Sequence, residues 1–169
     1  EDPEREVSVA AALSSSYDLL PADLQTAWRR LGVFDADFDP AAAGAVWQTS
    51  ADAAQEQLAA LRGYSLVEYE DGRWRLHDLA RDFALAQMPA PEQDAARRAH
   101  AAHYLEVLRQ AQKLYLQGSE HIAEGLGRYD REQKNIAAGQ GWAARGEDRL
   151  ANDYPSAGIY VLSLRLHPR

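Results

Sequence analysis

The sequence predicts a mainly helical protein with one β-hairpin, and three observations carry this prediction. Alanine-rich segments with few β-branched residues favour helices over sheets through much of the 169-residue chain. Apolar residues recur at three- and four-residue spacing in several segments, as on the buried face of an amphipathic helix. The exception is the stretch from Leu66 to Leu76, where Asp71-Gly72 is typical of a two-residue hairpin turn.

The predicted hairpin has one register that suits both of its faces. A turn at Asp71-Gly72 places apolar residues opposite each other on one face and acidic residues opposite basic ones on the other. A shift of one residue would set aromatic side chains against charges. The apolar pairs are Tyr69 with Trp74 and Val67 with Leu76, and the charged pairs are Glu68 with Arg75 and Glu70 with Arg73. Because an isolated hairpin is marginally stable, we expect its apolar face to pack on the flanking helices.

The N-terminal part is predicted to be a linker followed by two helices. Residues 1–7 are charged and contain Pro3, which is typical of a linker, and regular structure is expected from about Val7. Apolar residues then recur at helical spacing on both sides of Leu20-Pro21. Because proline disfavours a helical conformation in the residue before it, the two stripes are predicted to be separate helices.

Two short helices are predicted before the hairpin. Pro40 suits the first turn of a helix that runs to about Gln48, after a loop rich in aspartate. Ser50 or Asp52 can cap the next helix, which runs to Gly63. Glycine tolerates the left-handed conformation that often follows a helix end, so Gly63 is expected to adopt it.

A fifth helix and a domain boundary are predicted after the hairpin. Asp78 is expected to cap this helix and Pro89 to end it. The segment Pro89-Ala90-Pro91 is the best candidate for a domain boundary. The chain is therefore expected to comprise a linker at residues 1–7, a domain at residues 8–88 and a helical segment at residues 89–169.

The helical segment is predicted to begin with an antiparallel pair of helices. One apolar stripe ends near Gly118 and the second near Gly146, with a Gly-Ser turn between them. Two such helices form one unit of a helical solenoid. A third segment starts at about Arg149, although Pro155 and Gly158 disfavour a regular helix there. Because the sequence stops shortly afterwards, the array is expected to be truncated.

Composition and charge narrow the class of protein. There is no cysteine, which excludes disulfides, thiolate catalysis and cysteine-ligated zinc. No segment has the apolar length of a membrane span and none resembles a signal peptide, so a cytoplasmic protein without a membrane partner is expected. The chain begins at Glu1 rather than methionine, as an excised fragment would. Residues 1–88 carry 16 acidic and 7 basic side chains, and this net charge of −9 argues against binding to nucleic acid.

Several short motifs, taken in order, resemble a known family. They are Ala11 to Leu20, Leu31-Gly32-Val33-Phe34, Ala53 to Leu61, Gly63-Tyr64-Ser65-Leu66-Val67, and Trp74 to Ala84 with its Leu76-His77-Asp78 core. Together they resemble the winged-helix domain that follows the nucleotide-binding domain in STAND ATPases, which include the NB-ARC class of plant resistance proteins and the apoptosome scaffolds. The resemblance covers about residues 7–88. The segment after Pro91 more loosely resembles the helices that lead into tetratricopeptide (TPR) arrays in bacterial members.

The resemblance implies both a fold and a role. The implied fold class is mainly α: a winged helix, made of helices plus one β-hairpin, followed by a TPR-like antiparallel helical region. In that family the histidine of a Met-His-Asp or Leu-His-Asp motif contacts the β-phosphate of ADP, which holds the ATPase in its inactive state. By its place in the motif, His77 is the cofactor-binding candidate, and an imidazole N–H is a suitable donor to a phosphate oxygen.

The isolated chain is not expected to be an enzyme. It has no Gly-x-x-x-x-Gly-Lys-Ser/Thr loop to hold phosphates and no strand placed to hold magnesium. No catalytic residue and no cofactor are therefore predicted for the chain by itself, whereas ADP or ATP is implied for a full-length protein. The implied partners are an upstream nucleotide-binding domain and downstream repeats of the same chain, together with any protein that binds the helical segment.

The main alternative is a winged-helix DNA-binding module of a transcription regulator. The helix before the hairpin would then read DNA, but it offers Asp52, Glu56 and glutamines, and no basic residue before Arg62. Such a surface is poorly suited to phosphates. A helical adaptor that binds other proteins is the second alternative.

Two clusters have some of the features of a metal site. His100, His103 and Glu106 lie one turn apart on a predicted helix, but a catalytic site would need a further ligand, and histidines often occupy such a helix without binding metal. The Asp35-x-Asp37-x-Asp39 sequence resembles the start of a calcium loop but lacks its glycine and its terminal glutamate. An acidic loop is predicted there, and no metal ligand is assigned.

Overall fold

The chain is mainly helical and contains one small antiparallel sheet. The computed structural model describes residues 3–166, and in this range it has nine α-helices and two strands. The helices are α1 (Pro3–Asp18), α2 (Ala22–Arg30), α3 (Pro40–Trp47), α4 (Ala51–Gly63), α5 (Asp78–Ala86), α6 (Ala90–Gln117), α7 (His121–Ala143), α8 (Asp148–Ala157) and α9 (Ile159–Leu166). The strands are β1 (Glu68–Glu70) and β2 (Arg73–Arg75). None of the helices in the described range is both long enough and apolar enough to span a membrane.

The chain forms two compact units, a first unit up to Ala96 and a second unit from Arg97. The division lies inside α6, after the Pro89-Ala90-Pro91 segment that the sequence suggests as a boundary. Pro91 does not interrupt the helix because it occupies the first turn, where the missing N–H of proline would have no partner. That segment therefore marks the start of α6.

The first helix begins earlier than the sequence suggests. α1 starts at Pro3, inside the segment 1–7 that is predicted to be a linker. Proline is compatible with a first helical turn, for the same reason as Pro91. Glu1 and Asp2 lie outside the described residues. The predicted break at Leu20-Pro21 is confirmed, since α1 ends at Asp18 and Pro21 immediately precedes α2.

The starts of α3 and α4 agree with the sequence predictions, whereas the end of α4 does not. The Asp39 carboxylate accepts a hydrogen bond of 2.8 Å from a backbone amide in the first turn of α3, which begins at Pro40. Ser50 caps α4 in the same way. The prediction for Gly63 is wrong, because helical turns continue past it and Ser65 adopts the left-handed conformation, with φ of +60°.

The predicted register of the hairpin is confirmed. Three of the four predicted pairs are present, Glu68 with Arg75, Tyr69 with Trp74, and Glu70 with Arg73. The fourth, Val67 with Leu76, lies beyond the ends of the two strands. Asp71 and Gly72 both have positive φ, of 51° and 79°, as a two-residue turn between twisted strands requires. Trp74 is buried, whereas 43% of Tyr69 is exposed. The aromatic face of the hairpin is therefore covered on β2 and partly open on β1.

A third extended segment, which was not predicted from the sequence, pairs with the hairpin. Phe38 and Trp74 exchange two backbone hydrogen bonds, of 2.8 and 2.9 Å, in an antiparallel bridge. Phe38 is fully buried, and its ring stacks on Phe34 with 4.1 Å between the ring centroids. The indole N–H of Trp74 also donates to the Gln55 side chain of α4 at 3.3 Å. The hairpin therefore packs on the segment before α3 as well as on a helix.

Aromatic side chains join the helices of the first unit. Tyr17, Trp28 and Phe83 come from α1, α2 and α5, and their ring centroids lie 5.5 to 5.9 Å apart. The indole N–H of the fully buried Trp28 donates to the Leu66 carbonyl oxygen at 2.9 Å, so this polar group is satisfied in the core. α5 is thereby held against α1 and α2 immediately after the hairpin.

The second unit is built on the predicted antiparallel helix pair. α6 ends before Gly118-Ser119, where both residues have positive φ and the chain turns into α7. Contacts run in opposite order along the two helices, with Gly125 of α7 beside Ala111 of α6 and Gly139 beside Ala101. A Cβ atom on Gly125 would lie only 2.6 Å from the Ala111 carbonyl oxygen. The helices can approach this closely because the glycine has no side chain.

Two further helices complete the described part of the second unit. α8 is helical although it contains Pro155, and Gly158 separates it from α9. Tyr154 of α8 is fully buried, and its hydroxyl donates to a backbone carbonyl oxygen of α6 at 2.7 Å. The Gln112 side chain of α6 accepts a hydrogen bond from the Val161 amide in the first turn of α9 at 3.3 Å. Both contacts tie the last two helices to α6.

Candidate functional site

His77 stands at the junction between β2 and α5. β2 ends at Arg75 and α5 begins at Asp78, so His77 is the residue that directly precedes the helix. Its backbone is extended, with φ of −62° and ψ of 147°, and its side chain makes no capping hydrogen bond to the helix. The side chain is exposed to solvent. The imidazole is thus accessible to a ligand from outside the chain.

The prediction that Asp78 caps α5 is wrong. His77 holds the cap position, because its carbonyl oxygen already accepts the first helical hydrogen bond, from the Arg81 amide at 2.9 Å. Asp78 is the first residue of the helix itself. A carboxylate there still interacts favourably with the positive end of the helix dipole.

The first turn of α5 provides backbone N–H donors in addition to the imidazole of His77. The first N–H groups of a helix have no acceptor within it, and no side chain of the cap residue satisfies them here. Such a terminus favours an anion, although the exposed Asp78 carboxylate opposes one. Arg81 follows one turn later, with its guanidinium 3.7 Å from Asp35 and 3.8 Å from Asp82. The site therefore combines an exposed imidazole with the first amides of a helix, and Arg81 follows one turn along that helix.

Contacts from distant parts of the chain fix the backbone on both sides of His77. Before it, the bridge from Trp74 to Phe38 anchors β2. After it, α5 packs against the turn at Gly32, where a Cβ atom would lie 3.1 Å from the Leu85 side chain. The alternation in Asp37-Phe38-Asp39 is a strand-like signal that could have revealed an extended segment at Phe38, although not its partner, since polar and apolar residues alternate along a half-buried strand.

The histidine pair of α6 differs from His77 in its surroundings. His100 is 3% exposed and forms a hydrogen bond with Asn135 of α7. Burial lowers the pKa of His100 to about 3, so its ring is neutral at ordinary pH. His103 packs edge-on against Tyr104 with 5.0 Å between the ring centroids. Within the described residues, no group of three or more His, Cys, Asp or Glu side chains is placed to hold a metal ion.

The aspartates before α3 make structural contacts. Asp37 accepts a hydrogen bond of 3.0 Å from the Arg73 guanidinium, and Asp39 caps α3. Asp35 lies beside Arg81 of α5. These contacts fit the prediction of an acidic loop, whose carboxylates contact Arg73 of the hairpin and Arg81 of α5.

The exposed surface of α4 is acidic and polar. Asp52 and Glu56 are exposed, and the Gln55 side chain accepts a hydrogen bond from Trp74. A helix that reads DNA needs basic residues to reach the phosphates on either side of the groove. This surface therefore does not favour the DNA-binding alternative.

Comparison with known proteins gives no further guide to this site. No protein-family model matches the chain, and no curated protein or solved structure was found to match it. The functional hypothesis therefore rests on the motif resemblance in the sequence and on the geometry at His77.

Proposed function

We propose that this chain is a non-catalytic regulatory module of a STAND-type signalling ATPase. It would hold an upstream nucleotide-binding domain in its ADP state and relay the switch to downstream helical repeats. The accessibility of His77 at the start of α5 is the observation that carries the proposal. A cytoplasmic location would follow from this role.

The order of elements in the first unit supports a winged helix. A helix, the extended segment at Phe38, two helices and a hairpin follow one another along the chain. Phe38 pairs with β2 on the side opposite β1. The small sheet therefore has three extended segments, with β2 in the middle. β2 ends two residues before His77, so the proposed sensor directly follows the small sheet.

The chemistry of the junction suits a nucleotide phosphate supplied by another domain. An imidazole N–H can donate to a phosphate oxygen, and the first amides of α5 favour negative charge. The chain supplies only this side of the contact, because it has no phosphate-binding loop of its own. A contact that exists with ADP and differs with ATP can shift the equilibrium between two states of the whole protein.

The second unit supports a connection to helical repeats. α6 and α7 are antiparallel and joined by a three-residue turn, and α8 and α9 continue the series. Stacked helix pairs of this kind form extended solenoids. We propose that this unit begins a TPR-like array and carries the conformational signal away from His77.

The test is nucleotide retention by a longer natural protein that contains this chain and its ATPase domain. The parent and His77→Ala are purified, denatured and assayed for released ADP, with the isolated 169-residue chain as the blank. We expect the parent to retain ADP and His77→Ala to lose it or exchange it about tenfold faster, since the hydrogen bond to a charged phosphate is removed.

His77→Gln is the matched variant, because it keeps a side-chain N–H donor without the imidazole ring. Recovery of retention in His77→Gln would show that donation to the nucleotide matters. Equal retention of ADP by the parent and His77→Ala would contradict the proposal and leave His77 as a structural residue.

A further inference from the structure

The outer edge of β1 is an open sheet edge. Trp74 uses its N–H and C=O to pair with Phe38, on the side of β2 away from β1. In an antiparallel ladder, the residue opposite such a position also directs its backbone groups away from its partner strand. The N–H and C=O of Tyr69 therefore lie on the outer edge of β1. Among the described residues neither group has a backbone partner.

The charges of the small sheet alternate from one extended segment to the next. Each segment carries an aromatic residue between two charged ones. In spatial order they are Asp37-Phe38-Asp39, then Arg73-Trp74-Arg75, then Glu68-Tyr69-Glu70. Ion pairs link neighbours across the sheet, with Arg73 at 3.0 Å from Asp37 and Arg75 at 2.6 Å from Glu68.

At the open edge, the Glu70 carboxylate is available to form an ion pair with a further strand. Glu70 is exposed and forms no ion pair within the described residues. Tyr69 is 43% exposed, with its ring 4.6 Å from that of Trp74 and with the Arg62 guanidinium 5.6 Å from its centre. Residues 1–96 hold 18 acidic and 7 basic side chains, a net charge of −11. A basic segment is the chemical complement of this edge.

We propose that the β1 edge binds an extended segment of a partner protein with the pattern basic–aromatic–basic, by strand addition. Its aromatic residue would lie opposite Tyr69 and exchange two backbone hydrogen bonds with it. Its basic residues would face Glu68 and Glu70, as Arg75 and Arg73 do from the other side. Strand addition of this kind draws affinity from the main chain and specificity from alternate side chains.

A second copy of the chain is a poor occupant of this edge. Two β1 edges would bring Glu68 and Glu70 against the same acidic residues, and like charges directly opposite one another destabilise a sheet. Charged side chains on a short edge strand are a known protection against edge-to-edge association. This site is separate from His77, and its proposal does not depend on the proposed function.

The test is a titration of the ¹⁵N-labelled 169-residue chain with the capped peptide Gly-Arg-Trp-Arg-Leu, the sequence of residues 72–76. We expect saturable binding that shifts the amide resonance of Tyr69 most strongly. Binding should be weak, because the edge is short. A charge-reversed peptide, Gly-Glu-Trp-Glu-Leu, should not bind.

Two N-methylated peptides distinguish strand addition from simple charge attraction. Methylation of the tryptophan amide removes the N–H that faces Tyr69 and should weaken binding at least about tenfold. Methylation of the second arginine amide alters a group that faces away from β1 and should change the affinity less than about threefold. In the chain, Glu70→Gln should weaken binding roughly two- to fivefold, as for other charged cross-strand pairs.

Four results of the titrations would each overturn the proposal. They are absence of binding at millimolar peptide, equal affinity of the two methylated peptides, equal affinity of the charge-reversed peptide, and shifts centred away from Tyr69. Self-association of the unliganded chain through Tyr69 would also overturn it, since a second copy would then be the occupant.

Discussion

The two units of this chain both contain buried aromatic side chains, but they differ in the other contacts found inside each unit. Fully buried aromatic side chains occur in both units, and they include Trp28, Trp74 and Phe38 in the first and Tyr104 and Tyr154 in the second. In the second unit, helix backbones approach one another at Gly125 and Gly139. The buried polar or charged side chains of the described residues also belong to the second unit, and they are His100, Gln112, Glu132 and Asn135.

This difference changes how each unit should respond to damage. An aromatic core loses stability mainly when apolar volume is removed, because buried contacts and a cavity are both at stake. Closely packed helix backbones lose stability when volume is added, because nothing at the contact can move aside. Buried polar groups add sensitivity to protonation. We therefore expect the two units to respond differently to the removal and to the addition of side-chain volume.

The largest effect is expected from removing volume in the first unit. Trp28→Ala deletes a fully buried ring that contacts Tyr17 and Phe83 and donates to Leu66. We expect a loss of about 3–5 kcal/mol in the free energy of unfolding, as for other buried aromatic residues. Hydrogen exchange followed by mass spectrometry should show faster exchange in α2, α5 and the hairpin.

Trp28→Phe is the control for this change. It keeps an aromatic ring but removes the N–H donor to Leu66, so its cost should be smaller, on the order of 1–2 kcal/mol. If exchange in the second unit rises as much as in the first unit for Trp28→Ala, the two units share one cooperative core, and the distinction drawn between them fails.

The next effect is expected from adding volume in the second unit. Gly125→Ala places a Cβ atom 2.6 Å from the Ala111 carbonyl oxygen and 2.8 Å from the Tyr115 amide nitrogen. Both are backbone atoms, so α6 and α7 must separate. We expect a loss of roughly 2–3 kcal/mol, measured by urea unfolding monitored by circular dichroism.

Gly127→Ala is the matched control, because it lies two residues along the same helix with no atom within 4 Å of the added Cβ. It should stabilise the chain by about 0.5–1 kcal/mol, since alanine favours helices more than glycine does. Equal effects of the two substitutions would mean that the close approach of α6 and α7 does not limit packing.

The sequence revealed much of the first unit because its signals are local. The register of the hairpin follows from Asp71-Gly72 and the residues beside it, and the start of α3 follows from Asp39-Pro40. The bridge from Phe38 to Trp74 and the hydrogen bond from Trp28 to Leu66 join residues far apart in sequence. No local pattern specifies such partners, so they could not be read from the sequence.

The site and the second unit show where local rules fail. A cap assignment depends on which carbonyl accepts the first helical bond, and Asp78 and His77 are adjacent candidates for it. Gly125 looks like a weak helix residue in the sequence, while in the fold it permits a close approach of the α6 and α7 backbones. The sequence predicts the position of His77 between the hairpin and α5. The exposure of its side chain could be seen only in the structure.

The smallest effect is expected from acid, acting on the second unit through His100. Burial lowers the pKa of His100 from 6.5 to about 3, and the positive charges of His103 and Arg97 act in the same direction. The fold therefore favours the neutral ring, so this part of the stability is complete above pH 6.5 and is lost as the pH falls toward 3. Between pH 7 and pH 5 the expected loss is about 1–2 kcal/mol. Urea unfolding at both pH values should show it in the parent, whereas His100→Gln, which can still bond to Asn135 but does not titrate, should lose less. An equal pH dependence of parent and variant would mean that His100 is not the group that makes the second unit sensitive to acid.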